Sequence, residues 1–204
     1  ADAILIHGFT GSKEDFQLIG PMLAKRGYRL IAMDNRGQHE SPHSNREDAY
    51  TVQSLARDVL ELVEVLSLKK PHLFGHSLGG VIAQRAISIN PHLFRSLTLM
   101  CSGPRARAPP EFPLLAQKEF PGRTMEELWN TYLEEEGNKT PLYEMKKRRW
   151  LASDLRSVLT HADELINFIS VVDEIAESKI PAHVFYGEND DAWPFEMQLE
   201  MAKK

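Results

Sequence analysis

The sequence predicts an α/β fold: a mostly parallel sheet with helices on both faces, interrupted by a helical insertion. Three observations predict it. Short apolar runs of strand length alternate with single stretches of helical spacing, the pattern of βαβ units. The apolar runs lead into glycine-bearing turns. Between residues 104 and 175 strand-like runs disappear and only helical patterns remain.

The elements follow in order. Ala3-Ile4-Leu5-Ile6 reads as a buried strand that stops at His7-Gly8. From Asp15 to Arg26, Phe16, Ile19, Leu23 and Ala24 recur at helical spacing, and Gly27 follows as a C-terminal cap. Tyr28 to Met33 is a second strand, closed by the loop sequence Asp34-Asn35-Arg36-Gly37. Thr51 to Leu66 is an amphipathic helix, with Val52, Leu55, Ala56, Val59, Leu62, Val63 and Leu66 on one face. His72-Leu73-Phe74 is a strand, Gly75 to Gly80 a turn, and Val81 to Ile89 a helix that Asn90-Pro91 ends. Ser96 to Cys101 is the next strand. Helices are then predicted over 124–136, 142–159 and 162–175, a strand over 182–186, and a last helix over 196–204. Residues 1–103 therefore form the first part of a core, 104–175 a helical insertion, and 176–204 the second part of the core.

Composition narrows the function. The chain has 204 residues, a length that suits one domain with an insertion. Lys+Arg total 24 against 29 Asp+Glu, a net charge of −5, so the basic footprint of nucleic-acid binding is missing. The longest apolar runs are strand-sized, far short of the ~20 residues that span a membrane. Cys101 is the one cysteine, so no internal disulfide can form, which fits a reducing, cytoplasmic setting. Lys146 to Arg149 and Glu134 to Glu136 are charge runs of the kind that solvated helix faces carry.

Chemistry concentrates at Gly75-His76-Ser77-Leu78-Gly79, a G-x-S-x-G motif. A strand that runs straight into a helix needs a very tight turn. That turn puts Ser77 in a strained backbone conformation with its hydroxyl raised above the sheet edge, and Gly75 and Gly79 leave room across it. The helix that starts there aims free N–H groups at the site, where they stabilise charge on a carbonyl oxygen. The motif is moderately specific alone; its place between a predicted strand and a predicted helix sharpens it.

With these residues in view, the chain resembles the α/β-hydrolase superfamily, in the branch with a helical cap. His7-Gly8-Phe9-Thr10-Gly11 resembles the family's oxyanion loop, residues 34–41 its D-x-R-G-x-G-x-S loop, and Gly187-Glu188-Asn189-Asp190 the turn that carries the triad acid. His39 stands where that loop has its second glycine, so its backbone is expected to differ locally. The resemblance implies Ser77 as nucleophile and Asp190 as acid, with Asp191 as rival. It also implies an oxyanion hole from the N–H groups of Phe9 and Leu78, with Gly8, Gly75 and Gly79 in support. His7 is read as a cap of the strand turn that orients the loop, and His76 as a neighbour of the nucleophile that points away from it. No cofactor and no metal are implied. The partner is a small acyl substrate, and residues 104–175 form its roof.

The base is missing from its expected slot. In this family the histidine that activates serine follows the acid, yet none of the eight histidines lies after Asp190. A serine without a base is a weak nucleophile at neutral pH. The expectation is that the chain is a piece of a hydrolase whose histidine lies beyond Lys204, and that it begins after the family's first strands. Two alternatives stand beside it: a non-catalytic ligand-binding descendant, or a base supplied by His161 or another distant imidazole.

Overall fold

The computed structural model describes residues 1–104, 111–190 and 192–204. Among the described residues five strands form one parallel sheet: β1 (Asp2–Ile6), β2 (Arg29–Met33), β3 (His72–His76), β4 (Ser96–Met100) and β5 (Ala182–Phe185), in the spatial order β2-β1-β3-β4-β5. The chain moves one way from β1 to β2 and the other way from β3 to β4, so the order reverses between β1 and β3. In open α/β sheets the crevice at the carboxyl ends of two such strands is where ligands bind.

The register says what meets there. Ile6 pairs with Gly75, Gly75 with Leu99, and Met100 with both His76 and Phe185. The residues that follow each strand, His7 to Phe9, Ser77, Cys101 and Tyr186 to Asp190, therefore leave the sheet along one edge.

Helix α1 (Gly20–Ala24) lies between β1 and β2, α2 (Val52–Val65) between β2 and β3, and α3 (Leu78–Ile89) between β3 and β4. The predicted helix over 15–26 is a 3₁₀ turn at Lys13–Phe16 followed by the short α1, because Pro21 restarts the helix. Gly27 ends α1 with φ +85°, the left-handed conformation expected of a C-terminal glycine. Thr51 caps α2, its hydroxyl accepting the N–H of Ser54 at 3.2 Å.

Between β4 and β5 lie α4 (Glu111–Glu119), α5 (Met125–Tyr132), α6 (Pro141–Leu151), α7 (Leu155–Asn167) and α8 (Val172–Ser178). The helix predicted over 142–159 is two helices. Asp154 caps α7 by accepting the N–H of Arg156 at 2.9 Å, and its own N–H donates to the carbonyl of Gly37 at 2.8 Å. That tertiary bond takes a donor out of the ladder and divides the segment. The insertion feeds two cores. Ala116, Phe120, Leu128, Trp129, Tyr143, Trp150, Val158 and Ala162 form one of their own, whereas Leu165, Phe168, Val171, Val172 and Ile175 join the main core of β1, β3, β4, α2 and α3. Phe9, after β1, packs against both. The chain closes with α9 (Phe195–Ala202).

In the loop over residues 34–41, His39 adopts φ +48°, the region that glycine favours. Its side chain and backbone are both anchored: His39 Nε2 pairs with Glu14 Oε1 at 3.2 Å, and its N–H donates to Ser153 Oγ of the insertion at 3.2 Å.

Candidate active site

Ser77 sits between β3 and α3 with φ +51° and ψ −118°. A non-glycine residue tolerates this region only where its surroundings impose it. Here the Ser77 N–H donates to the carbonyl of Met100 at 3.0 Å, and its carbonyl accepts from Gly80 at 2.8 Å. The two motif glycines answer to backbone contacts: a Cβ on Gly75 would lie 2.3 Å from the carbonyl oxygen of Gly79, and one on Gly79 would lie 2.2 Å from that of Ile6. The turn closes because neither has a side chain.

Opposite Ser77 runs the loop after β1. His7 is fully buried; its Nδ1–H donates to the carbonyl of Gly8 at 2.8 Å and its Nε2 accepts the N–H of Asn35 at 3.1 Å. A carbonyl only accepts and an amide N–H only donates, so these two bonds require the neutral imidazole with its hydrogen on Nδ1. Burial lowers its pKa in the same sense. Gly8 accepts the N–H of Gly11 at 3.0 Å, which turns the loop over Ser77. Among the described residues the N–H groups of Phe9 and Leu78 have no acceptor.

Asp190 follows β5. Its Oδ1 accepts the N–H groups of Ala192 at 3.1 Å and Trp193 at 2.8 Å, so the turn grips its own carboxylate. The buried Trp193 ring holds the turn against Gly103, where a Cβ would lie 2.6 Å from the ring. Asp191 lies outside the described residues.

A cavity of about 490 Å³ joins these parts, lined by His76, Ser77, Cys101, residues 187–190, Ala192 and Trp193. Nucleophile and acid of the expected triad thus share one space. His76 is the one histidine on its wall, and burial lowers its pKa against the opposing charges of Asp15 and Asp190. His161 is not on the wall; it is fully buried within α7, with its pKa pushed down to about 3 by burial and by His7. Cys101 lines the cavity and was not read from the sequence as a site residue. The signal was available in the register, since it follows β4 where Ser77 follows β3. A second cavity of about 310 Å³, between α8, α9, β4 and β5, is lined mostly by apolar side chains together with Gln84, Lys179 and Lys204.

Ligand atoms of Asp34, His39 and Glu40 lie within 4.8 Å of one another, a spacing that would suit a cation. Lys13 already takes that place, its ammonium 2.6 Å from Asp34 and 2.7 Å from Glu40. Burial opposes its charge, but those two hydrogen bonds prevail and raise its pKa. Among the described residues no helix is long and apolar enough to cross a membrane.

Known proteins resemble the chain in sequence and in shape. It is 37% identical over 99 residues to an uncharacterized hydrolase, YugF, of Bacillus subtilis, a match covering 48% of this chain and 36% of that protein. It is 31% identical over 107 residues to the sn-1-specific diacylglycerol lipase ABHD11 of Xenopus laevis, covering 52% of this chain and 33% of the lipase. The matched stretch is thus about a third of each relative's length. A carboxylesterase structure from Nitrososphaera gargenis superposes with a TM-score of 0.80 at 20% identity, over 99% of this chain and 77% of that one. An esterase from Exiguobacterium antarcticum gives 0.77 at 19% identity, over 99% and 79%. At such identity the likeness speaks for the fold. A sequence profile of the α/β hydrolase fold matches residues 4–196, nearly the whole chain, and the chain belongs to that family.

Proposed function

We propose that the protein is a serine hydrolase that cleaves an ester, thioester or similar acyl bond through an acyl-enzyme on Ser77. The observation that carries this reading is the left-handed Ser77, held at the start of α3 in one cavity with Asp190. Ser77 Oγ attacks the substrate carbonyl while a base takes its proton. The oxyanion forms against the N–H groups of Phe9 and Leu78, each such donor being worth about 3 kcal/mol in the transition state. The leaving group departs with a proton, and water then cleaves the acyl-enzyme by the same steps. Asp190 orients the base and stabilises its charge. His7, locked neutral between Gly8 and Asn35, steadies the loop that offers Phe9.

The base in this proposal is a histidine that follows Asp190 in the whole protein. His161 is not on the cavity wall, and His76, which lines the wall with Ser77, directly precedes the nucleophile in the chain. Residues 104–175 roof the site as a cap and shape its substrate preference. The partner is a small acyl compound; the chemistry uses neither cofactor, metal nor nucleic acid. A cytoplasmic location goes with the single free Cys101.

Reaction of the full-length protein with a fluorophosphonate tests the reading. Stoichiometric labelling that Ser77→Ala abolishes is the expected result. A folded protein that takes no label would instead be a ligand-binding relative with an inert serine. The 204 residues alone should turn over a chromogenic ester little or not at all.

A further inference from the structure

Gln198 lies on α9, eight residues past the acid, and is fully buried. Its Nε2 donates to Asp190 Oδ2 at 3.2 Å and to the carbonyl of Trp193 at 2.6 Å. Both partners only accept, so chemistry decides which way the amide points: reversed, Oε1 would face a carboxylate oxygen and a carbonyl oxygen. In the orientation present, Oε1 is buried without a partner among the described residues. A buried acceptor left without a partner is costly, and an apolar side chain at 198 would escape that cost. The amide is thus explained by its donor end.

The consequence falls on the carboxylate. Oδ1 is held by two backbone N–H groups of its own turn, and Oδ2 by Gln198. With both oxygens engaged from different sides, the carboxylate plane cannot rotate. Oδ2 accepts one hydrogen bond from Gln198, which leaves it acceptor capacity toward the cavity. There it stands with His76, Ser77 and Cys101.

We infer that Gln198 is a positioning residue. It fixes the Asp190 carboxylate so that Oδ2 presents its remaining acceptor site to the base serving Ser77. The inference rests on the reading of Ser77 as nucleophile and Asp190 as acid. Gln198 touches neither substrate nor reacting atoms and acts through Asp190 alone.

The test uses the full-length protein with Gln198→Met, Gln198→Glu and Ser77→Ala. The readouts are kcat and KM for a chromogenic ester, the fluorophosphonate labelling rate against pH, and the melting temperature. Gln198→Met keeps the bulk and removes the donor: kcat should fall about 10-fold, as for a small misplacement of a catalytic group, with KM nearly unchanged and labelling slowed in parallel. Gln198→Glu places a second carboxylate beside the first, which raises the pKa of the base; the acidic limb of the labelling profile should move up by about one pH unit. A merely structural glutamine would leave kcat per folded molecule and the labelling rate of Gln198→Met at the parent value, whatever its melting temperature. That result overturns the inference. Ser77→Ala separates the two levels: if it still labels or turns over, the underlying reading fails and the inference falls with it. If it is inert while Gln198→Met keeps the parent kcat and labelling rate, only the positioning role fails.

Discussion

Gly8 passes so close to Ser77 that a Cβ built on it lies 3.2 Å from Ser77 Cβ and 3.0 Å from Nδ1 of His76. The His76 ring can yield by a few tenths of an ångström, but the Ser77 Cβ cannot, because its backbone is tied to Met100 and Gly80. In Gly8→Ala the loop should therefore move and carry the Phe9 N–H with it. Labelling of Ser77 by a fluorophosphonate should slow by about 10²-fold, the loss typical of one misplaced oxyanion donor. The melting temperature should fall only slightly. Labelling at the parent rate would show that Phe9 is not part of the hole.

The motif glycines differ from Gly187 in kind. In Gly79→Ala the new methyl meets backbone, 2.2 Å from the carbonyl oxygen of Ile6 and 2.6 Å from that of His7, and no rotamer relieves it. A loss of about 3 kcal/mol or more is expected, seen as a collapse in soluble yield and melting temperature. Gly187 has nothing within 4 Å of an added Cβ, and Gly187→Ala should stay within about 0.5 kcal/mol of the parent. Equal stability in the two variants would refute the strand-to-helix contact described for the elbow.

Cys101 offers a chemical handle on the same cavity. Burial raises its thiol pKa, and the nearby Asp190 charge adds to the effect. The thiolate is the reactive form, so alkylation by iodoacetamide should be slow at neutral pH and accelerate as the pH rises. Because Cys101 lines the wall beside Ser77, the alkylated protein should lose fluorophosphonate labelling, while Cys101→Ala should keep it. Alkylated protein that labels at the parent rate would place the thiol outside the path to the nucleophile.

The legible parts of this molecule were those whose causes are local. Ala3 to Ile6 announces a strand because it is apolar and short, and Thr51 announces a helix because its hydroxyl caps Ser54 three residues on. The elbow was legible for the same reason, since Gly75, Ser77 and Gly79 act across one turn. The division of α6 from α7 was not, because its cause is the bond from Asp154 to Gly37, far off in sequence. His39 read as a departure from glycine, and the bonds to Glu14 and Ser153 hold it at φ +48°, a cause the sequence does not show. Cys101 and Gln198 also escaped notice. One reaches the site through the β3–β4 register, the other through a helix that returns to Asp190.

His161 should make the fold sensitive to acid. Its ring is fully buried, neither nitrogen has a partner among the described residues, and Tyr50 lies edge to face with it at 6.5 Å. Burial first, and then the second imidazole of His7, push its pKa from 6.5 down to about 3. The folded state therefore refuses a proton that the unfolded state accepts below its ordinary pKa of 6.5. Stability attributable to this group is intact above that value and is lost as the pH falls toward 3, at about 1.4 kcal/mol per pH unit. His7 contributes in the same direction, because burial lowers its pKa too. His161→Phe removes one of the two, keeps a ring against Tyr50 and deletes two unpaired polar atoms. At about pH 7.5 the variant should be as stable as the parent or slightly more so. Between about pH 6 and pH 4 its melting temperature should fall less steeply, and the gap between the two proteins should widen with each unit of acidification. Parallel curves over that interval would mean that His161 takes up its proton without penalty, through water or a movement of α7 that opens the roof.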